Sequence, residues 1–295
     1  MGLFFSSDRF TRPGPGVRPD APRKKGVARL AEIMGRDMWN FFRAGFLAFL
    51  GCLPFIIGMF FAVETHALLF MLLAGIIGGL IAGPELSAMA DTVLRSLRDE
   101  PGYWWETYRR VWKRNARESL VPGMLTGLVL SIQIFTLFHM SVISAGIVTW
   151  ALLILSFMVT LGMESYIWPQ IALLDLPLYG ILKNSLLLFL GYLPRSLGAI
   201  AIKAVYWGAI LLFFPLTTII LPFTNFWLPM LPALLCIYQP LNKCFTIEST
   251  INKMREDDLN AALAKDNEPL PEEPAAEAEE TSEEPASDDS FSDAQ

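Results

Sequence analysis

Four stretches of this chain, 44–63, 67–90, 119–138 and 142–167, run for twenty residues or more with at most one charged side chain each. A helix of twenty residues rises ~30 Å, the depth of a bilayer's hydrocarbon. In that medium every backbone N–H and C=O must be satisfied within the protein, so an isolated apolar run of this length is expected to be helical. A further region, 197–245, is long enough for two more crossings, although Pro215, Pro222, Pro229, Pro232 and Pro240 interrupt it. Prolines at that density predict kinks or a broken helix. The expectation is an all-α integral membrane protein with about six transmembrane helices.

Charged residues make up only 18% of the 295, against about a quarter in soluble domains, and they are segregated. Residues 1–43 hold nine bases and four acids, and 91–118 hold seven bases and five acids. The turns at 64–66 and 139–141 hold no base. Lysine and arginine stay on the cytoplasmic side of a plasma membrane, which predicts that both termini and the 91–118 segment are cytoplasmic. From residue 266 onward there are twelve acids and no base, so the formal net charge of −6 leaves +6 on residues 1–265. That tail is rich in Glu, Pro, Ala and Ser, cannot bury apolar area, and is expected to be disordered. The organisation expected is a basic segment 1–43 containing a short helix over 27–40, a membrane domain 44–247, a short cytoplasmic helix 248–265, and the acidic tail 266–295. Cys52, Cys236 and Cys244 lie in apolar runs without CxxC spacing and read as small buried hydrophobes.

Two patterns stand out within this frame. Gly75, Gly79 and Gly83 recur every fourth residue of the second run, with Ala74, Gly78 and Ala82 in a row beside them. On a helix this is a smooth strip that another backbone can approach closely, and packing against another span of the same chain is expected. Pro84 is expected to kink the helix, with Glu85 and Asp91 beyond it at the headgroups. The second pattern is the segment 101–117. At about 100° per residue, Trp104, Trp105, Tyr108, Val111 and Trp112 share one face and Arg109, Arg110, Lys113, Arg114 and Arg117 the other. This predicts an amphipathic helix in the cytoplasmic headgroup layer, serving as an anchor or as a docking site for a protein partner. Nucleic acid is not an expected partner of a basic helix set among membrane spans.

The same residues carry a family resemblance. Gly83-Pro84 in a small-residue helix, the acidic spacer Asp99-Glu100, and an aromatic–basic helix closing on Trp112 and Asn115 resemble the YesL family of bacterial multi-span membrane proteins. The likeness covers roughly residues 10–250, with Tyr108 near a position where phenylalanine is common. The family has five to six spans and no assigned biochemical activity, and its genes tend to lie near those for carbohydrate degradation and sugar uptake. The resemblance implies a bacterial plasma membrane, a carbohydrate-utilisation setting, and a partner such as a sugar-uptake transporter or another membrane protein.

No HExxH, Walker A, GxGxxG or nucleophile-elbow motif is present. His66 and His139, with Glu64 nearby, lack any metal-site spacing and read as interfacial histidines. Gln133, Glu164 and Lys203 lie within apolar runs, where polar groups are costly. Glu164 and Lys203 are expected to pair or to snorkel toward the cytoplasmic face. No catalytic residue, cofactor or metal is expected. The favoured reading is a non-enzymatic accessory or regulatory protein. A transporter for a small solute such as a sugar is second, supported by the glycine strip, the proline-broken last spans and the embedded charges.

Overall fold

The computed structural model describes residues 23–266 except 101, 141 and 143–145. The start of the basic segment (1–22), the turn residue Ser141 and the acidic tail from 267 lie outside the described residues. Among the described residues all regular structure is helical: α1 Gly26–Thr65, α2 Leu68–Arg98, α3 Trp104–Phe138, α4 Ile147–Leu173, α5 Leu178–Gly191, α6 Leu193–Leu212, α7 Thr217–Thr224, α8 Trp227–Phe245 and α9 Ile247–Asp266. Five of them, α1 to α4 and α6, are long and apolar enough to cross a membrane. The chain divides into two units, 1–248 and 249–295. The described part of the second is the polar stretch of α9.

The first three helices are far longer than a bilayer requires. Their 40, 31 and 35 residues correspond to ~60, ~47 and ~53 Å, against ~30 Å of hydrocarbon. The excess gathers where α1 begins, α2 ends and α3 begins, and this is called the charged end below. The short helix predicted over 27–40 is the first part of α1, and the amphipathic segment 101–117 is the first part of α3. Neither is a separate element. In α1 no proline occurs before Pro54, and in α3 none before Pro122, so nothing stops either helix at the edge of its apolar run. The helix of α2 likewise continues through Pro84, and it widens to a single π-turn over Ala74–Gly78.

α2 is held between α1 and α3 by its two rows of small residues. A Cβ added at Gly75 would stand 2.5 Å from Ser131 Oγ and 2.8 Å from Leu128 Cα. One at Gly79 would strike the Gly123 carbonyl, and one at Gly83 the Ser119 carbonyl. The partner row is itself small and spaced by four: Ser119, Gly123, Gly127, Ser131. On the other side a Cβ at Gly78 would lie 2.6 Å from Phe55 Cα, and one at Gly58 would lie 2.7 Å from Ala74 Cβ. Both contacts bring backbones together, which in lipid replaces the hydrophobic drive that water would supply.

The later helices attach through polar contacts. Gln133 on α3 donates to Ser156 Oγ (2.6 Å) and Thr160 Oγ1 (2.8 Å) on α4. Gln170 on α4 donates to Ser185 of α5 at 2.8 Å, and Tyr166 and Ser196 tie α4 to α6 at 2.9 Å. α5 has 14 residues, ~21 Å, too short to cross. The six expected spans become five candidates. The sixth, α8, holds Gln239, Asn242, Lys243 and two internal prolines, and its apolar residues are largely buried against protein.

Gly79→Leu is expected to lower the melting temperature in detergent, because overpacking such a contact costs ~1–3 kcal/mol. The lipid-side control Leu73→Ile (Leu73 is 42% exposed) should melt like the parent. Equal melting of the two variants would show that the strip bears no load.

Candidate functional site at the charged end

Arg29, Arg36 and Arg43 lie one heptad apart on α1, so they share a face. Two of them, with Arg23, close over the C-terminus of α2. Arg23 donates to the Arg98 carbonyl (3.2 Å), Arg29 to that of Leu97 (3.1 Å) and Arg36 to that of Ser96 (2.8 Å). The last carbonyls of a helix have no intrahelical donor and carry partial negative charge, which guanidinium groups satisfy on both counts. The cap residue Asp99 stands in the left-handed region (φ 60°). Its carboxylate pairs with Arg29 at 2.6 Å, Arg36 at 2.5 Å and Arg23 at 3.2 Å. Partial burial pushes the Asp99 carboxyl up, but hydrogen bonds and charge from Arg36 and Arg29 outweigh it and hold it below the usual carboxylate range. A similar cap joins α3 to α4, where Arg114 donates to the Ala172 carbonyl at 2.8 Å.

A second anchor is Glu85, one residue past Pro84. Its Oε2 accepts from the Tyr108 hydroxyl at 2.5 Å and its Oε1 from the Trp112 indole at 2.9 Å. The aromatic face of segment 101–117 is therefore turned toward α2. Tyr108 (4% exposed), Val111 and Asn115 are buried, and Trp104 is half-buried with its Nε1 lacking a partner. Trp105 and Trp112 remain at the rim, 57% and 37% exposed. The helix expected in the headgroup layer thus has part of its aromatic face on protein: Tyr108 and Trp112 are held to Glu85 of α2, next to the level at which Gly83 meets Ser119. Arg43 lies over the rings of Trp39 and Trp104, at 5.0 and 5.6 Å.

Between the arginine cap and these aromatics is a polar cavity of about 290 Å³, lined by Arg36, Asn40, Arg95, Ser96, Trp104 and Thr107 among others. Outside it, Arg109, Lys113 and Arg117 are exposed, and no ion pair to them occurs among the described residues. Arg110 pairs with Glu106 at 3.1 Å.

The remaining predicted residues lie elsewhere. Lys203 Nζ is 3.4 Å from Glu164 Oε2, and Trp168 donates to Glu164 Oε1 at 3.2 Å. The pair borders a crevice with Met230, Ala233 and Leu234 of α8. At the far end His66 and His139 meet with 2.7 Å between Nδ1 of one and Nε2 of the other. Nδ1 of His139 also faces the Phe135 carbonyl at 2.8 Å. A carbonyl only accepts, so Nδ1 of His139 carries a proton and donates to it. Among the described residues no group of three or more His, Cys, Asp or Glu is placed to hold a metal ion.

The sequence reading missed the arginine cap and the Glu85 anchor. The signals were present: arginines at 29, 36 and 43, and a period of four running unbroken from Val111 to Ser131. No family model matches the chain, and comparison with curated proteins and with solved structures gives no match either.

Two outcomes follow. Because the folded-state pKa of Asp99 is lowered, its contribution to stability is full above the unfolded carboxylate value of about 3.9 and is lost as pH falls through the folded value. Asp99→Asn should thus melt below the parent at neutral pH, and the gap should close in acid. A gap independent of pH would mean the carboxylate charge is irrelevant. For the buried pair, Glu164→Gln should destabilise more than Glu164→Gln with Lys203→Met, since a stranded buried charge costs ~3–5 kcal/mol. Strictly additive losses would show that the two do not interact.

Proposed function

We propose that this chain is a non-enzymatic membrane protein that acts through a protein partner docked on its charged end. The observation that carries the reading is the first part of α3. Held by Glu85 and the buried Tyr108, Val111 and Asn115, it presents Arg109, Lys113 and Arg117 beside the exposed Tyr103 and Trp105. Exposed aromatics next to exposed bases on a rigid element suit recognition of an acidic surface. The cavity beside them offers Asn40, Ser96 and Thr107 to an incoming side chain. By the positive-inside rule this end is cytoplasmic, the membrane is a bacterial plasma membrane, and both termini are inside.

The resemblance to the YesL family, carried by Gly83-Pro84, Asp99-Glu100, Trp112 and Asn115, sets the proposal in carbohydrate utilisation. The partner is then a component of sugar uptake or another membrane protein of that setting. A transporter of a small solute is the second reading, favoured by Gln133, whose Oε1 is buried without a partner inside the helical bundle. Unpaired polar groups at depth are what a solute would meet.

The test has two arms. Partner capture from native membranes should fall sharply when Arg109, Lys113 and Arg117 are changed to glutamate, with the variant's melting temperature unchanged. Purified chain in liposomes should give no saturable uptake of labelled mono- or oligosaccharides. Saturable uptake by the chain alone, surviving the three glutamates, would replace the accessory reading with the transporter.

A further inference from the structure

The segment from Leu193 to Phe245 is a hairpin. α6 rises, a turn at 213–216 reverses the chain, and α7 and α8 return beside it. Contacts close the two arms along their length: Tyr192 with Cys244 (3.5 Å), Tyr206 with Thr224 (2.9 Å), Trp207 with Phe226 (5.3 Å between rings) and Thr217 with the Ile210 carbonyl (2.7 Å). Both feet stand at the charged end. Glu248, just past α8, pairs with Arg23 at 2.7 Å. The N-terminal arm of α1 and the foot of the hairpin therefore lie on one side of any membrane, so the number of complete crossings between them is even. Five complete crossings are excluded, which leaves four or six.

The height of the hairpin decides between these numbers. The return arm is fastened to α1 at a known level. Phe223 stacks on Phe42 (5.8 Å) and Trp227 on Phe41 (5.9 Å). A Cβ at Gly45 would meet the Asn225 side chain and stand 2.6 Å from Trp227 Cδ1. That level is the edge of the apolar run, marked by the exposed Arg43. From there α7 has 8 residues before the turn, a rise of ~12 Å even if it runs straight along the bilayer normal. α1 needs all of the residues from Gly45 to Thr65 to cover ~30 Å. The tip therefore stops near mid-depth. α8, from the same level, runs back along α1 to the charged end and is covered by protein there.

The surface of the tip agrees with that depth. Leu212 (77%), Phe214 (70%), Leu216 (73%) and Ile219 (74%) are among the most exposed large apolar side chains of the molecule, and no charged residue occurs between Lys203 and Lys243. At the same level α1 exposes Phe46 and Leu50, so the tip is continuous with the apolar face of a helix able to cross the membrane. We infer that Leu193–Phe245 is a re-entrant hairpin whose tip is buried in the acyl chains of one leaflet, and that the chain makes four complete crossings. Its ligand is the hydrocarbon of the leaflet on the charged side. The polar backbone of the turn is tolerable at that depth only because local hydrogen bonds satisfy it: Phe213 N–H to the Ala209 carbonyl (3.1 Å), and Thr217 N–H to that of Phe213 (3.3 Å).

The test is single-cysteine accessibility and depth. The parent keeps the buried Cys52 and carries Cys236→Ala and Cys244→Ser. Thr65→Cys marks the far side and Lys243→Cys the charged side. Phe214→Cys and Ile219→Cys, both at exposed positions that pack on little, should label roughly tenfold less with a charged maleimide than Thr65→Cys in intact cells, and roughly tenfold less than Lys243→Cys in inverted vesicles. A thiol in hydrocarbon is neither ionised nor reached by such a reagent. Bimane placed on Phe214→Cys through a permeant reagent should be quenched most by lipids bearing a nitroxide near mid-chain. Labelling of Phe214→Cys from the same side as Thr65→Cys would overturn the inference in favour of six crossings. Labelling from the side of Lys243→Cys would overturn it by placing the hairpin outside the bilayer. Should labelling be low at every position, quenching decides alone, and strongest quenching by headgroup nitroxides would overturn it.

Discussion

The glycine contact between α2 and α3 sets the positions of the other described parts. Where Gly75, Gly79 and Gly83 meet Ser119, Gly123 and Gly127, the two backbones approach too closely for any side chain to intervene. Register and rotation of both helices are then fixed together, because moving either by a residue would drive a side chain into a carbonyl. α1 is set by the neighbouring row at Ala74 and Gly78. With three long helices locked inside the apolar zone, their extensions beyond it have no freedom to splay. Tyr108 and Trp112 reach Glu85, and Arg36 reaches the end of α2, as a consequence of that locking.

The bases at the charged end serve two physical purposes. As a set they give the charge asymmetry from which orientation is read. Individually they satisfy the ends of helices: Arg23, Arg29 and Arg36 on α2, and Arg114 on α4. The last carbonyls of a helix lack intrahelical donors, and a guanidinium with five donors supplies them while also meeting the Asp99 carboxylate. Arg109, Lys113 and Arg117 are not used in this way and are exposed on a helix whose other side packs in the bundle. That division between capping bases and exposed ones is the ground for seeking a partner there.

The all-helical class and the first four apolar runs were legible in the residues because hydrocarbon imposes a length and forbids unpaired backbone. The glycine row was legible as a strip, since its period is that of a helix face. The segment 101–117 was legible as amphipathic but misplaced. Periodicity states which residues share a face, and says nothing of what the face meets. Tyr108 and Val111 are apolar enough for lipid, and it is a carboxylate on another helix, Glu85, that holds Tyr108 and Trp112 on α2. The last region resisted for another reason. Residues 197–245 are apolar enough for two spans, and apolarity is equally satisfied by lipid, by a covering of protein, or by half of each.

The sequence by itself determined that this chain is helical, where its long apolar helices lie, and which end gathers charge. Those features depend on local composition and on a period that a single helix defines. Only the tertiary structure decided that the arginines of α1 close the end of α2, that Tyr108 and Trp112 of α3 turn inward on Glu85, and that the junction of α7 and α8 is fastened at Gly45. Each of these joins residues from different helices. The pairing depends on rotation and height, and those were set by backbones meeting at glycines, where there is no side chain to announce the contact.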